Sequence, residues 1–425
     1  MTRIKRGAFS AAFLCGLLAG VPRADAQEVT VEQLVALALE RSPELQAARA
    51  DIAVAGGQVT QAALRPNPML STSHEHEPGG MTITGAEVAW PLDLFRRPAR
   101  VAVARGMADV TTLAIRDRER LLASAVREQA GRVLAERRTL ELTNEALTAA
   151  RRMRDLLDRR VTEGGSTKID ANLAAVEALR LEADAAIAAG EIEATTIQLK
   201  ALVGLAADAP LALGDSLETR AAAPAVPRLT PAAAIETRPD LREAIARIGL
   251  ADARAEQARR DARSEVSLVG GWTRNHWVFP QLGLDERGRT TPIQNTFHTY
   301  TVGATVSLPF SNRNQGTLAS AQAERQGAEA LFAARQRAAR ADIDAALARE
   351  RQARRAVEIY ATTARELARQ NVDVMLEGYD LGRFPLSDVL AEQRRYLDVE
   401  AGYTAVLSRA YDARAAVARA FGETP

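Results

Sequence analysis

Histidine is scarce in this 425-residue sequence, and two of its four copies stand together in Ser73-His74-Glu75-His76-Glu77. Residues two apart on a strand share a face, so His74 and His76 point the same way, as a metal site near a strand end would need. Strand-end histidines serve equally as polar residues at an interface, and no bound metal is expected. A second pair of candidates is Asp170 and Asp388, which close the segments Gly-Gly-Ser-Thr-Lys-Ile-Asp and Gly-Arg-Phe-Pro-Leu-Ser-Asp, six residues after Gly164 and Gly382. An aspartate in the first turn of a helix is favoured by the macrodipole alone. The same carboxylates ringed around a constriction would attract cations and repel anions. Catalysis finds no footing: the one cysteine is Cys15, there is no Gly-rich phosphate loop, and no helical region offers a histidine to pair with a nucleophile. The chain is read as no enzyme, with no cofactor.

These residues need elements to hold them, and two kinds are visible. In the stretch from His298 to Phe310, Tyr300, Val302, Ala304, Val306 and Leu308 alternate with Thr299, Thr301, Gly303, Thr305 and Ser307. One oily face and one hydroxyl face over about ten residues fit a transmembrane β-strand. Runs at residues 68–77, 81–90 and 265–278 are strand-like too, and the three tryptophans, Trp90, Trp272 and Trp277, all lie in these runs, as aromatic girdles at a bilayer interface would. The rest is rich in Ala, Arg, Glu, Gln and Leu at helical spacing. Residues 98–161 and 314–377 contain no internal proline, and Val126, Val133, Leu140 and Leu147 repeat every seven residues, the period of a supercoiled seam. Helix of that length reaches roughly 96 Å.

Arg3, Lys5 and Arg6, an apolar run from Ala8 to Val21, and Ala24-Asp25-Ala26 have the form of a signal peptide over residues 1–26. Its removal takes away four basic residues and one acidic, leaving 51 basic against 53 acidic. That near-neutral, interspersed charge argues against a nucleic-acid partner. No later segment approaches the ~20 apolar residues of a spanning helix.

The sequence is also duplicated. Pro91 and Pro309, Gly164 and Gly382, Asp170 and Asp388, Leu179 and Leu397, Glu182 and Glu400, and Gly204 and Gly422 are each 218 residues apart. Pro43 and Pro239 are 196 apart, so the second copy carries 22 extra residues, around Val278 to Thr296, which read as a loop. The expected division is a first repeat over 27–204 (strands about 68–90, helical hairpin about 98–203), a linker or equatorial segment over 205–229, and a second repeat over 230–425 (strands about 265–310, hairpin about 314–421). Four strands cannot close a barrel, and an open sheet in lipid leaves its edges unsatisfied, so several chains must pool theirs.

Leader, duplicated helix, strand pair and long hairpin, and the two glycine turns resemble the TolC-like outer membrane factors, the outer membrane efflux protein family, over essentially the whole mature chain. "SPELQAARA", "ALRPNPMLS" and "AEVAWPLDLFRRPARVAVA" look most like its heavy-metal, CzcC-like branch, although "PLDLFRRP" departs from that branch's usual wording. The resemblance implies a homotrimer in the outer membrane of a Gram-negative bacterium. Four strands per chain would form a twelve-stranded barrel, continued by an α-helical coiled-coil tunnel across the periplasm. It implies a passive duct for divalent metal cations, with a periplasmic adaptor and an inner-membrane efflux pump as partners. Multidrug efflux or type I secretion on the same fold is the alternative, and a soluble periplasmic coiled-coil scaffold is the reading from another class. By the same resemblance Gly164, Gly165, Gly382, Arg383, Pro385 and Leu386 sit at the adaptor-docking tip, and Asp170, Asp388 and Tyr379 at the pore aperture.

Overall fold

The computed structural model describes residues 28–78, 80–223 and 229–422, so the signal peptide expected over 1–26 lies outside the described residues. Strand β1 (Glu28–Val29) leads into α1 (Val31–Arg41) through a capping box, in which Thr30 Oγ1 accepts from the Gln33 amide at 3.3 Å and Gln33 Oε1 from the Thr30 amide at 2.8 Å. Pro43 opens α2 (Pro43–Ala63), where a missing amide hydrogen costs nothing. Strands β2 (Met69–Glu77) and β3 (Met81–Pro91) follow, and then α3 (Arg97–Thr162), a single helix of 66 residues, and its return α4 (Lys168–Val203). The first half ends with β4 (Ala212–Leu213), parallel to β1, and α5 (Leu217–Ala222).

The second half repeats the order: α6 (Pro231–Thr237), α7 (Pro239–Asp261), β5 (Val266–Leu284) and β6 (Thr290–Val306). Its long stretch runs as α8 (Gln315–Ile359), a π-helical turn (Tyr360–Ala364) and α9 (Arg365–Asp380), and α10 (Leu386–Ala420) returns. The four long strands form one antiparallel sheet in the order β2-β3-β5-β6, open at both edges.

Two details differ from the sequence reading. The Gly-, Pro- and Thr-rich insertion is not a loop but the outer part of a hairpin: β5 runs on to Leu284 and β6 starts at Thr290. Asp285 makes the turn, its Oδ1 accepting from the amides of Arg287 and Arg289 at 2.9 Å each, with Gly288 at φ 73°. A register shift between Val278 and Leu282 accommodates the intervening proline. The other difference is the π turn, which breaks a stretch expected to be uniformly α-helical.

The main core lies midway along the molecule, where α1, α5 and the β1–β4 pair wrap α3, α4 and α10. Leu34, Val35, Val126, Leu199, Leu217 and Leu407 are buried together there. A two-helix arm has no such interior, so outward from this layer α3 and α4 are held by a thin seam that includes Leu147, Leu181 and Ala185.

Candidate functional site

At the end of the helical arms farthest from the sheet, each hairpin turns through a Schellman motif. Gly164 (φ 78°) and Gly382 (φ 72°) take the left-handed position, and their amides donate to the Val161 and Tyr379 carbonyls at 3.1 and 2.9 Å. The next amides, of Gly165 and Arg383, reach back to the Arg160 and Gly378 carbonyls at 2.7 and 2.8 Å. The two tips share a small core in which Leu157, Ala171, Ala174, Leu386 and Leu390 are buried and Tyr379 is half-buried. Leu386, expected at the docking tip, lies beneath its surface rather than on it. At 1% exposure it holds the two turns together, while Gly164, Gly165, Gly382, Arg383, Phe384 and Pro385 form the exposed surface.

The matched aspartates part company. Asp170 completes a capping box, taking hydrogen bonds from the Thr167 hydroxyl at 2.7 Å and the Thr167 amide at 3.3 Å. Asp388 is exposed, and its carboxylate meets only the Ser387 hydroxyl, at 3.2 Å, among the described residues.

Sequence reasoning missed what ties the hairpins together. Arg160 reaches Asp380 at 3.5 Å, and buried Glu177 on α4 holds Arg394 on α10 at 2.6 Å and its own neighbour Arg180 at 2.7 Å. Burial pushes the Glu177 carboxyl up, but the hydrogen bonds and charges of Arg180 and Arg394 outweigh it and hold its pKa below the ordinary glutamate value. The readable signal was its setting, a lone carboxylate among Ala174, Ala175 and Ala178. Gly378 is a second omission: the Phe384 ring occupies the place that a Cβ there would take.

In the sheet, register sorts the residues by face. Leu70, Val88, Trp90, Leu268, Trp272, Tyr300 and Val302 share one face, and Ser71, Ser73, Thr273, Thr299 and Thr301 the other. The three tryptophans are thereby split: Trp90 and Trp272 lie on the apolar face, but Trp277 pairs with Asn295 on the hydroxyl face and packs edge-on to Phe297. Charge follows the same division. His74, His76, Arg274, His276 and His298 fall on the apolar face, and Glu75, Glu77 and Glu87 on the hydroxyl face. The four histidines are spread over three strands, and among the described residues no group of three or more His, Cys, Asp or Glu is placed to hold a metal.

Known proteins match this arrangement. The profile of the outer membrane efflux protein family covers residues 34–205 and 230–423. The chain belongs to that family. It is 26% identical to the cobalt-zinc-cadmium resistance protein CzcC of Cupriavidus metallidurans over 405 residues, 94% of this chain and 92% of that one. Among solved structures it is similar to CusC, a protein described in terms of transmembrane channel formation, with TM-score 0.77 and 18% identity over 94% of this chain and 93% of the other. It is also similar to the outer membrane protein VceC of Vibrio cholerae, with TM-score 0.72 and 19% identity over 92% of this chain and 96% of the other.

The family member described here is an outer membrane efflux channel that extends into the periplasm, not an enzyme and not a soluble scaffold. Its fold is that of the trimeric channels, a twelve-stranded barrel to which each chain gives the four strands seen here, continued by the helical tunnel. The single chain shows what assembly must cover: two bare sheet edges, and on α4 the exposed apolar residues Ile169, Leu173, Val176 and Ile187 at seam-like spacing.

Proposed function

We propose that this channel is the exit duct of a tripartite pump for divalent heavy-metal cations, supplied by an inner-membrane pump through a periplasmic adaptor. The observation that carries the cargo is the segregation of charge across the sheet. With the apolar face toward lipid, Glu75, Glu77 and Glu87 line the lumen and no basic strand residue shares it. Threefold repetition makes that lumen a cation-attracting field. The likeness to a cobalt-zinc-cadmium resistance protein supports the same cargo. Energy and substrate choice belong to the pump; the duct needs only weak contacts that let cations leave.

In this reading Gly164, Gly165, Gly382, Arg383 and Pro385 present the adaptor-docking surface, with Leu386 beneath it. Asp388 and Asp170 line the aperture, and Tyr379 stiffens it from inside the tip core. Asp388, free of a cap, contributes more of the field than Asp170. The deciding experiment is growth of a strain lacking the protein on divalent metals and, separately, on dyes, detergents and antibiotics. Sensitivity to cobalt, zinc or cadmium alone supports the reading. Sensitivity to drugs alone leaves the duct and transfers its cargo to the multidrug class. In bilayer recordings, Asp388→Asn lowers cation selectivity and Asp170→Asn lowers it less; unchanged selectivity in both removes them from the pore.

A further inference from the structure

The outward face of the sheet carries its own pattern, which the export of cations does not use. Strands β2 and β3, 9 and 11 residues long, have the length that crosses a bilayer. Going from the helical end outward on their apolar face, paired rows follow in order. Val88, Gly270 and Val302 come first, Ala86, Trp272 and Tyr300 next, then His74, Thr84, Arg274 and His298, and last His76, Thr82, His276 and Thr296. Aliphatic, aromatic and basic rows in that sequence mark the passage from hydrocarbon to headgroups. No carboxylate of the four strands lies on this face.

We propose that Arg274, with His298 and His276 beside it, binds the phosphate of an anionic lipid in the outer leaflet. Arg274 is exposed, with His298 as its direct partner across the strands and His276 two residues along its own. The geometry prepares the His298 imidazole as a donor. Trp272 Nε1–H donates to His298 Nδ1 at 3.1 Å and the two rings stack, 5.7 Å between centroids. Nδ1 is thus an acceptor, and the ring proton of neutral His298 resides on Nε2, free to donate to a phosphate oxygen. His276, His74 and His76 each set Nδ1 against a threonine hydroxyl across the strands, at 2.9, 3.0 and 3.1 Å, which leaves Nε2 uncommitted. A guanidinium beside the His298 donor and the free Nε2 of His276, above an aromatic row, fits a phosphorylated headgroup whose acyl chains lie along Tyr300 and Val302.

The test counts lipids held by the intact, detergent-extracted trimer in native mass spectrometry, with bisphosphorylated lipid A and its dephosphorylated form as probes. The wild type retains the phosphorylated lipid preferentially. Arg274→Gln reduces that retention at least about fivefold, the weight of one arginine near an anionic surface, and His298→Asn reduces it less, while Thr301→Ala on the opposite face leaves it unchanged. The heat-modifiable trimer band confirms assembly of each variant; if Arg274→Gln does not assemble, His298→Asn with His276→Asn decides. Equal retention by wild type and variants, or no preference for the phosphorylated form, overturns the assignment. Displacement of the lipid by millimolar inorganic phosphate also overturns it, by assigning the site to a free anion. None of these outcomes depends on the cargo.

Discussion

Glu182 and Glu400 hold the same place in the two copies, 218 residues apart, and live in opposite surroundings. Glu182 is 56% exposed and reaches Arg151 at 3.2 Å. Glu400 is 2% exposed, hydrogen-bonded to Arg365 at 2.6 Å and approached by Arg138 at 3.5 Å, with both guanidinium groups over the Tyr403 ring. The neighbours explain the divergence. Where the first copy has Leu142 and Asp184, the second has Tyr360 and Gly402, and a Cβ on Gly402 would stand 2.8 Å from the Tyr360 hydroxyl. Tyr360 begins the π turn, and the Arg365 amide closes it by donating to the Tyr360 carbonyl. The wider turn re-aims the helix beyond it, which brings Arg365 over Glu400. Duplication supplied two equal arms, and a few side chains gave one of them a π turn and a buried ion pair that the other lacks.

That contrast can be broken at several points. Glu400→Ala leaves two guanidinium groups without their buried partner and costs about 3–5 kcal/mol. Glu182→Ala costs less than about 1 kcal/mol, and thermal unfolding followed by helical circular dichroism separates the two. Gly402→Leu drives a side chain into Tyr360 and costs about 1–3 kcal/mol, whereas substitution of Asp184 with leucine changes little. At the tips, Thr167→Ala removes a capping box worth about 1 kcal/mol; Ser387→Ala, at a turn whose N-cap is Pro385, is near neutral.

Acid titration sharpens the comparison further, with the smallest effect. Glu177 has its folded pKa depressed, so its contribution is complete above the ordinary value of 4.5 and is lost as pH falls through the lower folded value. The tie between α4 and α10 therefore loosens as pH falls below the ordinary glutamate value. Glu177→Gln flattens the acid limb of the stability curve below about pH 4.5 and leaves neutral stability lower throughout.

Much of the fold was legible because its signals are periodic. Alternation from Tyr300 to Leu308 announced a strand with an oily face, and the seven-residue spacing of Val126, Val133, Leu140 and Leu147 announced a helical seam; three of the four are buried and Leu140 is half-buried. Repetition at one offset exposed the two tips. What stayed hidden was set by neighbours distant in sequence. The burial of Leu386 depends on Leu157 and Ala171 from the other copy. The separation of Trp277 from Trp90 and Trp272 follows from cross-strand register, which no single strand declares. The insertion read as loop because its Gly and Pro content outweighed its Val, Phe, Ile and Thr, until pairing across the Asp285 turn is taken into account.

The hairpin built by that insertion has a consequence of another kind. β5 and β6 continue well past the ends of β2 and β3, so in the assembled channel they rise above the bilayer while the helical tunnel hangs below it. Seen from outside the cell, the channel presents three copies of one Arg-bearing β-turn. Beyond Trp277 that hairpin pairs only with itself, through Val278 with Gln294 and Leu282–Leu284 with Thr290–Pro292, so its outer turn makes no strand pairing with β2 or β3.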